Sequence, residues 1–479
     1  MKRLYKELED YSHKDYYPFH MPGHKRNPFS VDGNFPFDRD ITEIEGFDNL
    51  HHPEGIIKEA QEAAARLYHS KESFFSVNGS TAAILAAISA SVSRGGQILM
   101  ARNCHKAVYH ALYLRDLSPV YIYPQIEENL GINGGISPSR VERELEENRE
   151  IEAIILTSPT YDGVVSDIKE IAEIAHRYGI PLIVDEAHGA HFRFSDYFPV
   201  SAAELGADIV IQSLHKTLPA MTQTAVLHLL SDRVDREKIQ RFLGIYQSSS
   251  PSYILMASID ACIDKMERDG EGMFQKFTDI LEKARTRLSR CKHICLAGDD
   301  MVGSRGIFDY DKSKLIFSTR KSSLTGKELY DILLNQYHLQ MEMEAETYVL
   351  AITSAGDTEE GLKRLCDAIE EIDKKESLTF KEEGEQEIFK DSLPNIKMKQ
   401  VMKITEAMEA SVKKYALNES IGQVSAEFMY LYPPGIPILV PGELITGQFV
   451  RNVRRYMEKG LNLQGLSDYT NETIYAAVR

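Results

Sequence analysis

Ile209-Val210-Ile211-Gln212-Ser213-Leu214-His215-Lys216-Thr217 is an apolar run that ends abruptly in a hydroxyl, an imidazole and an amine. A lysine placed where a buried strand runs out loses part of its hydration, which brings its neutral, nucleophilic form within reach near neutral pH. Such lysines form Schiff bases with carbonyl compounds. Alone, Ser213-Leu214-His215-Lys216 fits a solvated lysine after a strand equally well, so the segments upstream decide the reading.

Those segments alternate regularly. Apolar runs at 74–77, 97–101, 120–123, 152–157 and 182–185 read as strands, and 56–67, 82–88, 106–114, 140–148 and 167–178 carry helical spacing. Continuous apolar strands between amphipathic helices predict an α/β fold with a mainly parallel sheet covered on both faces. Residues 224–230 read as an edge strand and 251–288 as a long helix leaving the first domain. Ligands of such sheets collect at the carboxyl ends of the strands. Here those ends are Asn78-Gly79-Ser80-Thr81, Arg102-Asn103-Cys104-His105-Lys106, Ser158-Pro159-Thr160-Tyr161, Asp185-Glu186-Ala187-His188 and Ser213-Leu214-His215-Lys216.

The first of these is a strand, a glycine turn, two hydroxyls and a helix start, which makes an anion site; a simple Ser or Thr N-cap is the alternative. Pyridoxal phosphate needs an amine for its aldehyde, a carboxylate at its pyridine nitrogen, an anion site and a flat group against its ring. Lys216, Asp185, the Gly79-Ser80-Thr81 turn and His105 match those needs. One further strand separates Asp185 from Lys216, so both reach one ring from adjacent strand ends; the other reading of Asp185 is the charged end of an ordinary strand.

With 479 residues the chain exceeds what one core serves, and 43% hydrophobic with 27% charged residues is an ordinary globular composition. A net charge of −17 disfavours nucleic acid and anionic membrane. Five scattered cysteines argue against a disulfide framework and for the cytoplasm, and neither a signal core nor a membrane-spanning run is found. Residues 1–55 read as an N-terminal arm with no sustained period, whose histidines (His20, His24, His51, His52) lack a metal-ligand spacing. A large domain over 56–300, a small α/β domain over 301–380 with a capping box at Thr325-Gly326-Lys327-Glu328, and a C-terminal domain over 381–479 follow. The charged stretch 374–399 reads as a linker, and the helix before it as ending near 371. The turns around Tyr430-Leu431-Tyr432-Pro433-Pro434 and Pro441-Gly442-Glu443 are expected to hold Glu427 or Glu443 firmly.

Phe19-His20-Met21-Pro22-Gly23-His24-Lys25, Arg102-Asn103-Cys104-His105-Lys106, Val184-Asp185-Glu186-Ala187-His188-Gly189 and Ser213-Leu214-His215-Lys216 resemble the motifs of the bacterial ornithine/lysine/arginine decarboxylases, and the resemblance extends to Leu463-Gln464-Gly465-Leu466-Ser467-Asp468. It implies the aspartate-aminotransferase fold (fold type I), pyridoxal 5'-phosphate as cofactor, and decarboxylation of arginine, lysine or ornithine to an amine for polyamine synthesis or acid resistance. It further implies that Lys216 carries the cofactor, Asp185 meets the pyridine nitrogen, His105 stacks on the ring, and Ser80, Thr81, Ser213 and His215 surround the phosphate. By the same resemblance Ala187 and His188 are expected beside the cofactor, the role of His188 being open. The chain starts at the arm, without the wing domain of larger members, which implies the short form and a homodimer or dimer of dimers with its active site near the subunit interface. Glu342, Glu344, Glu427 and Glu443 are candidates for reading the basic side chain. The same cofactor set also fits an aminotransferase or lyase, with Arg364 or Arg454 for the substrate carboxylate, or a cofactor-retaining protein without turnover.

Overall fold

A computed structural model describes residues 2–27, 31–379, 397–431 and 435–478. Two compact units emerge, the first made of 1–92, 153–158 and 168–276, the second of 93–152, 159–167 and 277–479. The strands that matter below are β1 (Glu72–Ser76), β2 (Gln97–Ala101), β3 (Ser118–Ile122), β4 (Ile151–Thr157), β5 (Leu182–Asp185), β6 (Ile209–Ser213) and β7 (Ala225–Leu229). The helices are α1 (Leu4–Ser12), α2 (Ile56–Leu67), α3 (Gly79–Ser91), α4 (Lys106–Arg115) and α5 (Tyr253–Leu288).

In the first unit the strand order is β1-β7-β6-β5-β4. β4, β5 and β6 are parallel, with Thr157 opposite Asp185 and Asp185 opposite Ile211. β7 is antiparallel to both of its neighbours, β6 and β1, so β1 runs the same way as β4, β5 and β6. The expectation of an edge strand at 224–230 is therefore corrected: β7 lies inside the sheet. All five of its residues are buried, as an interior position demands, and strand order is not written in local pattern. α3, built almost wholly of Ala, Ile, Leu and Ser, buries most of its surface because small side chains let it approach closely.

The N-terminal segment is more than an arm. α1 buries Leu4, Leu8 and Tyr11, and Arg3 before it pairs with Asp260 (3.2 Å), Asp264 (3.0 Å) and Glu267 (2.5 Å) on α5. Tyr16, Tyr17, Phe19 and Met21, by contrast, stay exposed.

In the second unit β2 and β3 are parallel, and a separate antiparallel sheet orders Cys295–Leu296, Lys314–Ser318, Tyr348–Ile352 and Met343–Glu344. The capping box at Thr325 and Glu328 forms and opens the helix Gly326–Tyr337. The helix expected to end near 371 continues to Thr379, because Ile372 is buried and the buried Glu376 carboxylate accepts from the N–H (2.7 Å) and hydroxyl (2.8 Å) of Ser323. This corrects the first residues of the expected linker; 380–396 lie outside the described residues, as do Tyr432, Pro433 and Pro434. Leu417, Met429, Leu439, Phe449, Val453 and Ile474 form a C-terminal core. Among the described residues no helix is long and apolar enough to cross a membrane.

Candidate active site

Because β1, β5 and β6 run in one direction, the residues that end or follow them share one edge of the first unit's sheet. Side chains alternate along a strand, and Asp185 pairs with Ile211, so Asp185 and Ser213 project to the same face. After β1 the chain turns at Gly79, whose φ of +71° is a left-handed conformation that side chains resist. Its N–H donates to the carbonyl of Gln223 (3.0 Å), and the Ser76 hydroxyl donates to its carbonyl (2.8 Å). Asn78 is the N-cap residue and makes no side-chain capping bond, so Ser80 and Thr81 are not caps but members of the first helical turn. The Ser80 and Ser213 hydroxyl oxygens lie 2.6 Å apart. A helix start of this kind offers N–H groups and the positive dipole end to an anion.

Lys216 sits in the single helical turn Leu214–Thr217 that follows β6, with its Nζ 3.0 Å from Nε2 of the buried His188. Asp185 is buried, and its Oδ1 accepts from the N–H of Ala187 (3.2 Å). Burial pushes the Asp185 carboxyl up, while the positive charge of Lys216 and the Ala187 N–H pull it back toward ionisation. The Nδ1 of His215 faces the Thr224 carbonyl at 2.9 Å, and burial lowers its pKa.

His105 belongs to the second unit, where it caps α4 by accepting from the N–H of Ala107 at Nδ1 (3.2 Å). In the same unit Arg102, at the end of β2, is buried with Glu443. Its Nη2 lies 3.1 and 3.2 Å from the two carboxylate oxygens, and its Nη1 donates to the carbonyl of Pro437 (2.6 Å) and the hydroxyl of Tyr109 (2.9 Å). Burial opposes the Arg102 charge, but the Glu443 carboxylate raises its pKa above the ordinary value; burial pushes Glu443 up, against Arg102.

A model of the Orn/Lys/Arg decarboxylase major domain matches residues 2–362, and one of the family's C-terminal domain matches 382–464. The chain belongs to the Orn/Lys/Arg decarboxylase family. It is 33% identical over 474 residues to the arginine decarboxylase of Bacillus subtilis (strain 168), an alignment covering 98% of this chain and 96% of that protein. With the lysine decarboxylase LdcA of Pseudomonas aeruginosa the identity is 22%, over 95% of this chain and 75% of the relative. The lysine decarboxylase LdcF of Francisella novicida superposes with a TM-score of 0.82 at 22% identity, over 99% of this chain and 80% of that one. This likeness bears out the α/β, aspartate-aminotransferase-like fold.

Within this decarboxylase fold, the first unit brings together Gly79, Ser80, Asp185, Ala187, His188, Ser213, His215 and Lys216; Thr81 is exposed one residue beyond Ser80, and His105 is in the other unit. The glutamates proposed for the substrate are largely engaged elsewhere. Glu443 is fully buried on Arg102, and Glu427 accepts from the N–H groups of Ser467 and Tyr475 (both 2.7 Å). Glu342 accepts from the Tyr161 hydroxyl, and Glu344 lies in a strand near Lys327. Arg454 pairs with Glu472 (2.7 Å) and Arg364 donates to the Tyr337 carbonyl (3.3 Å), so neither is a ready carboxylate receptor. The four loop histidines meet separate partners: His20 the hydroxyl of Tyr11, His24 Asp40, His51 the carbonyl of Ser248 and His52 Glu54. Gln223 was not anticipated. Beyond accepting from Gly79 it donates to the Val77 carbonyl (2.6 Å), clamping the turn before α3, and a glutamine inside a polar loop carries no signal of that role.

Proposed function

We propose that this family member decarboxylates arginine in preference to lysine or ornithine, with pyridoxal phosphate as cofactor, Lys216 as the amine that anchors it and Asp185 as the carboxylate at its pyridine nitrogen. The observation that carries the site is the pairing of β5 with β6, which puts a buried carboxylate and an amine at neighbouring strand ends beside a helix start. The donor set suits the cofactor: an amine, a buried carboxylate with a single backbone donor on Oδ1, and two hydroxyls at a helix N-terminus. When bound, pyridoxal phosphate supplies a sink for the electron pair left at Cα as carbon dioxide departs.

The protein's own groups do the rest. Ser80, Ser213 and the first turn of α3, with Thr81 and His215 at their flanks, hold the phosphate; an anion beside His215 reverses the drop that burial imposes on its imidazolium. Asp185, whose carboxyl burial pushes up while the positive charge of Lys216 pulls it back toward ionisation, would face the ring nitrogen. His188 is placed to exchange a proton with Lys216 Nζ. Arginine is favoured because several relatives named arginine decarboxylase are 31–33% identical over 95–98% of this chain, whereas the lysine decarboxylase LdcA of Pseudomonas aeruginosa is 22% identical over 95% of it. Five free cysteines support a cytoplasmic setting, and the exposed Tyr16, Tyr17, Phe19 and Met21 support a homodimer or dimer of dimers. The amine product feeds polyamine synthesis or acid resistance.

Purified protein loaded with pyridoxal phosphate is expected to show a visible absorption band and to release agmatine from arginine faster than cadaverine from lysine or putrescine from ornithine. Lys216→Ala should abolish both band and turnover; retention of both refutes the assignment of Lys216. Asp185→Asn should keep cofactor and lose turnover by several orders of magnitude.

A further inference from the structure

We propose that Glu186, Gln212, His228 and Ser73 form a one-directional hydrogen-bond chain across the sheet of the first unit, and that this chain positions the strand ends carrying Asp185, Lys216 and Ser80. The positioning half of the proposal rests on the pyridoxal phosphate reading; the direction of the chain does not.

Glu186 follows β5, and its N–H makes the last ladder bond to the Ile211 carbonyl (2.9 Å). By alternation its side chain points to the face opposite Asp185. There the carboxylate is buried. Oε1 accepts from the N–H of Ala202 (2.7 Å), and Oε2 accepts from the hydroxyl of Ser201 (2.7 Å) and from Nε2 of Gln212 (2.7 Å). On the far side of Gln212, Oε1 lies 3.3 Å from Nε2 of His228 on β7. His228 Nδ1 is 2.7 Å from the Ser73 hydroxyl on β1, and Ser73 is 2.8 Å from the hydroxyl of Ser70. Gln212 and His228 are fully buried and Ser73 nearly so, on three consecutive strands.

Chemistry fixes the direction. A carboxylate only accepts, so Gln212 must donate with its amide nitrogen and keep its oxygen for His228. His228 therefore carries its proton on Nε2. Burial pushes the His228 imidazolium down to about 3, so the ring is neutral and Nδ1 accepts from Ser73. Every donor points toward Glu186.

The need for such a chain follows from the strands themselves. β6 and β7 are buried along their whole length, so their apolar pattern is the same on both faces and does not penalise a one-residue slip. Buried polar partners do penalise it, because a slip of β7 takes from His228 and the Gln212 amide oxygen the buried bond between them. With Glu186 next to Asp185, Gln212 four residues before Lys216 and Ser73 on the strand that leads to Ser80, locking these three locks the site.

The test uses the full-length protein with 15N-labelled histidine at pH 8. The expected wild-type signal for His228 is the Nε2–H tautomer. In Glu186→Gln the Ala202 N–H keeps the new amide's oxygen, so its NH2 faces Gln212, the chain reverses and His228 shifts to the Nδ1–H tautomer. A wild-type Nδ1–H signal, or no change in Glu186→Gln, overturns the direction. For positioning, Gln212→Leu is compared with wild type at a temperature where circular dichroism shows it folded. Its dissociation constant for pyridoxal phosphate should rise about tenfold, the equivalent of one lost buried hydrogen bond, with kcat falling and KM little changed. Glu186→Gln, in which the chain is reversed but unbroken, should keep cofactor affinity within about twofold. Wild-type cofactor affinity in folded Gln212→Leu, or a tenfold loss in Glu186→Gln, overturns the positioning role. A wild-type protein that binds no pyridoxal phosphate refutes the cofactor reading instead and leaves the tautomer result standing.

Discussion

Replacing Arg102 by Met tests whether the Arg102–Glu443 pair holds the second unit together. Arg102 makes two contacts to the Glu443 carboxylate, one to the Pro437 carbonyl and one to the Tyr109 hydroxyl, all buried. Its removal leaves Glu443, which is fully buried, with the Val440 N–H (2.8 Å) as its remaining donor. Breaking a buried pair from one side costs about 3–5 kcal/mol, because the stranded charge is neither solvated nor matched. Both partners taken away together, as Arg102→Met with Glu443→Leu, leave no stranded charge, and this exchange is commonly neutral or stabilising. The Tyr109 hydroxyl keeps its bond to the Arg102 backbone carbonyl (2.6 Å), so the main loss in the double variant is the donor to Pro437, about 1–3 kcal/mol. Hydrogen exchange followed by mass spectrometry over residues 436–450 reads the local opening free energy directly. The single variant should open more easily by about 3–5 kcal/mol, and the double variant should recover at least half of that. A single variant within about 1 kcal/mol of wild type, or a double no better than the single, refutes the reasoning.

Tyr348→Phe removes the hydroxyl that donates to the buried Asp162 carboxylate (2.7 Å), and should lower stability in urea by about 1–3 kcal/mol while leaving packing intact. Gly189→Ala would place a Cβ 2.6 Å from Cγ of Glu186 and 3.0 Å from Cε2 of Phe192, and should cost about 1–3 kcal/mol by the same measurement. Burial pushes the Glu186 carboxyl up to about 7 from 4.5, so between those values the folded protein binds the proton that the unfolded chain has released. Its contribution is thus present below pH 4.5 and is lost as pH rises through 7, on the order of 3 kcal/mol, and Glu186→Gln should flatten that part of the urea-midpoint profile between pH 5 and 8.

Much of the first unit was legible in the sequence. Strands covered on both faces are forced to be apolar throughout, which is why 152–157, 182–185 and 209–213 read as strands without a period and why the polar residue ending each stood out. The juxtaposition of Asp185 and Lys216 followed from chain order, since consecutive parallel strands tend to be neighbours. Two things were hidden. Strand order depends on which distant segment inserts, so nothing local said that β7 would lie between β6 and β1. Nor does a glutamate after Pro-Gly announce its partner: Glu443 looks like a loop carboxylate free for substrate, yet meets an arginine 341 residues earlier.

The polar chain shows what lay between legible and hidden. Gln212 in Ile-Val-Ile-Gln-Ser, His228 in Ala-Val-Leu-His-Leu and Ser73 in Glu-Ser-Phe-Phe-Ser are each a polar residue inside a buried strand. Burying any one of them unpaired is unfavourable, so each by itself demands a partner that its own strand does not supply. Register turns three demands into one solution: Ser73 pairs with His228, and His228 with Val210, which places Gln212 two residues along the same face. The same interruptions make a sharp claim about the sheet. A slip of β7 by one residue against β6 would carry His228 to the other face, away from both Gln212 and Ser73, and leave the buried imidazole and the Gln212 amide oxygen without the bonds described above. An apolar strand would have tolerated that slip.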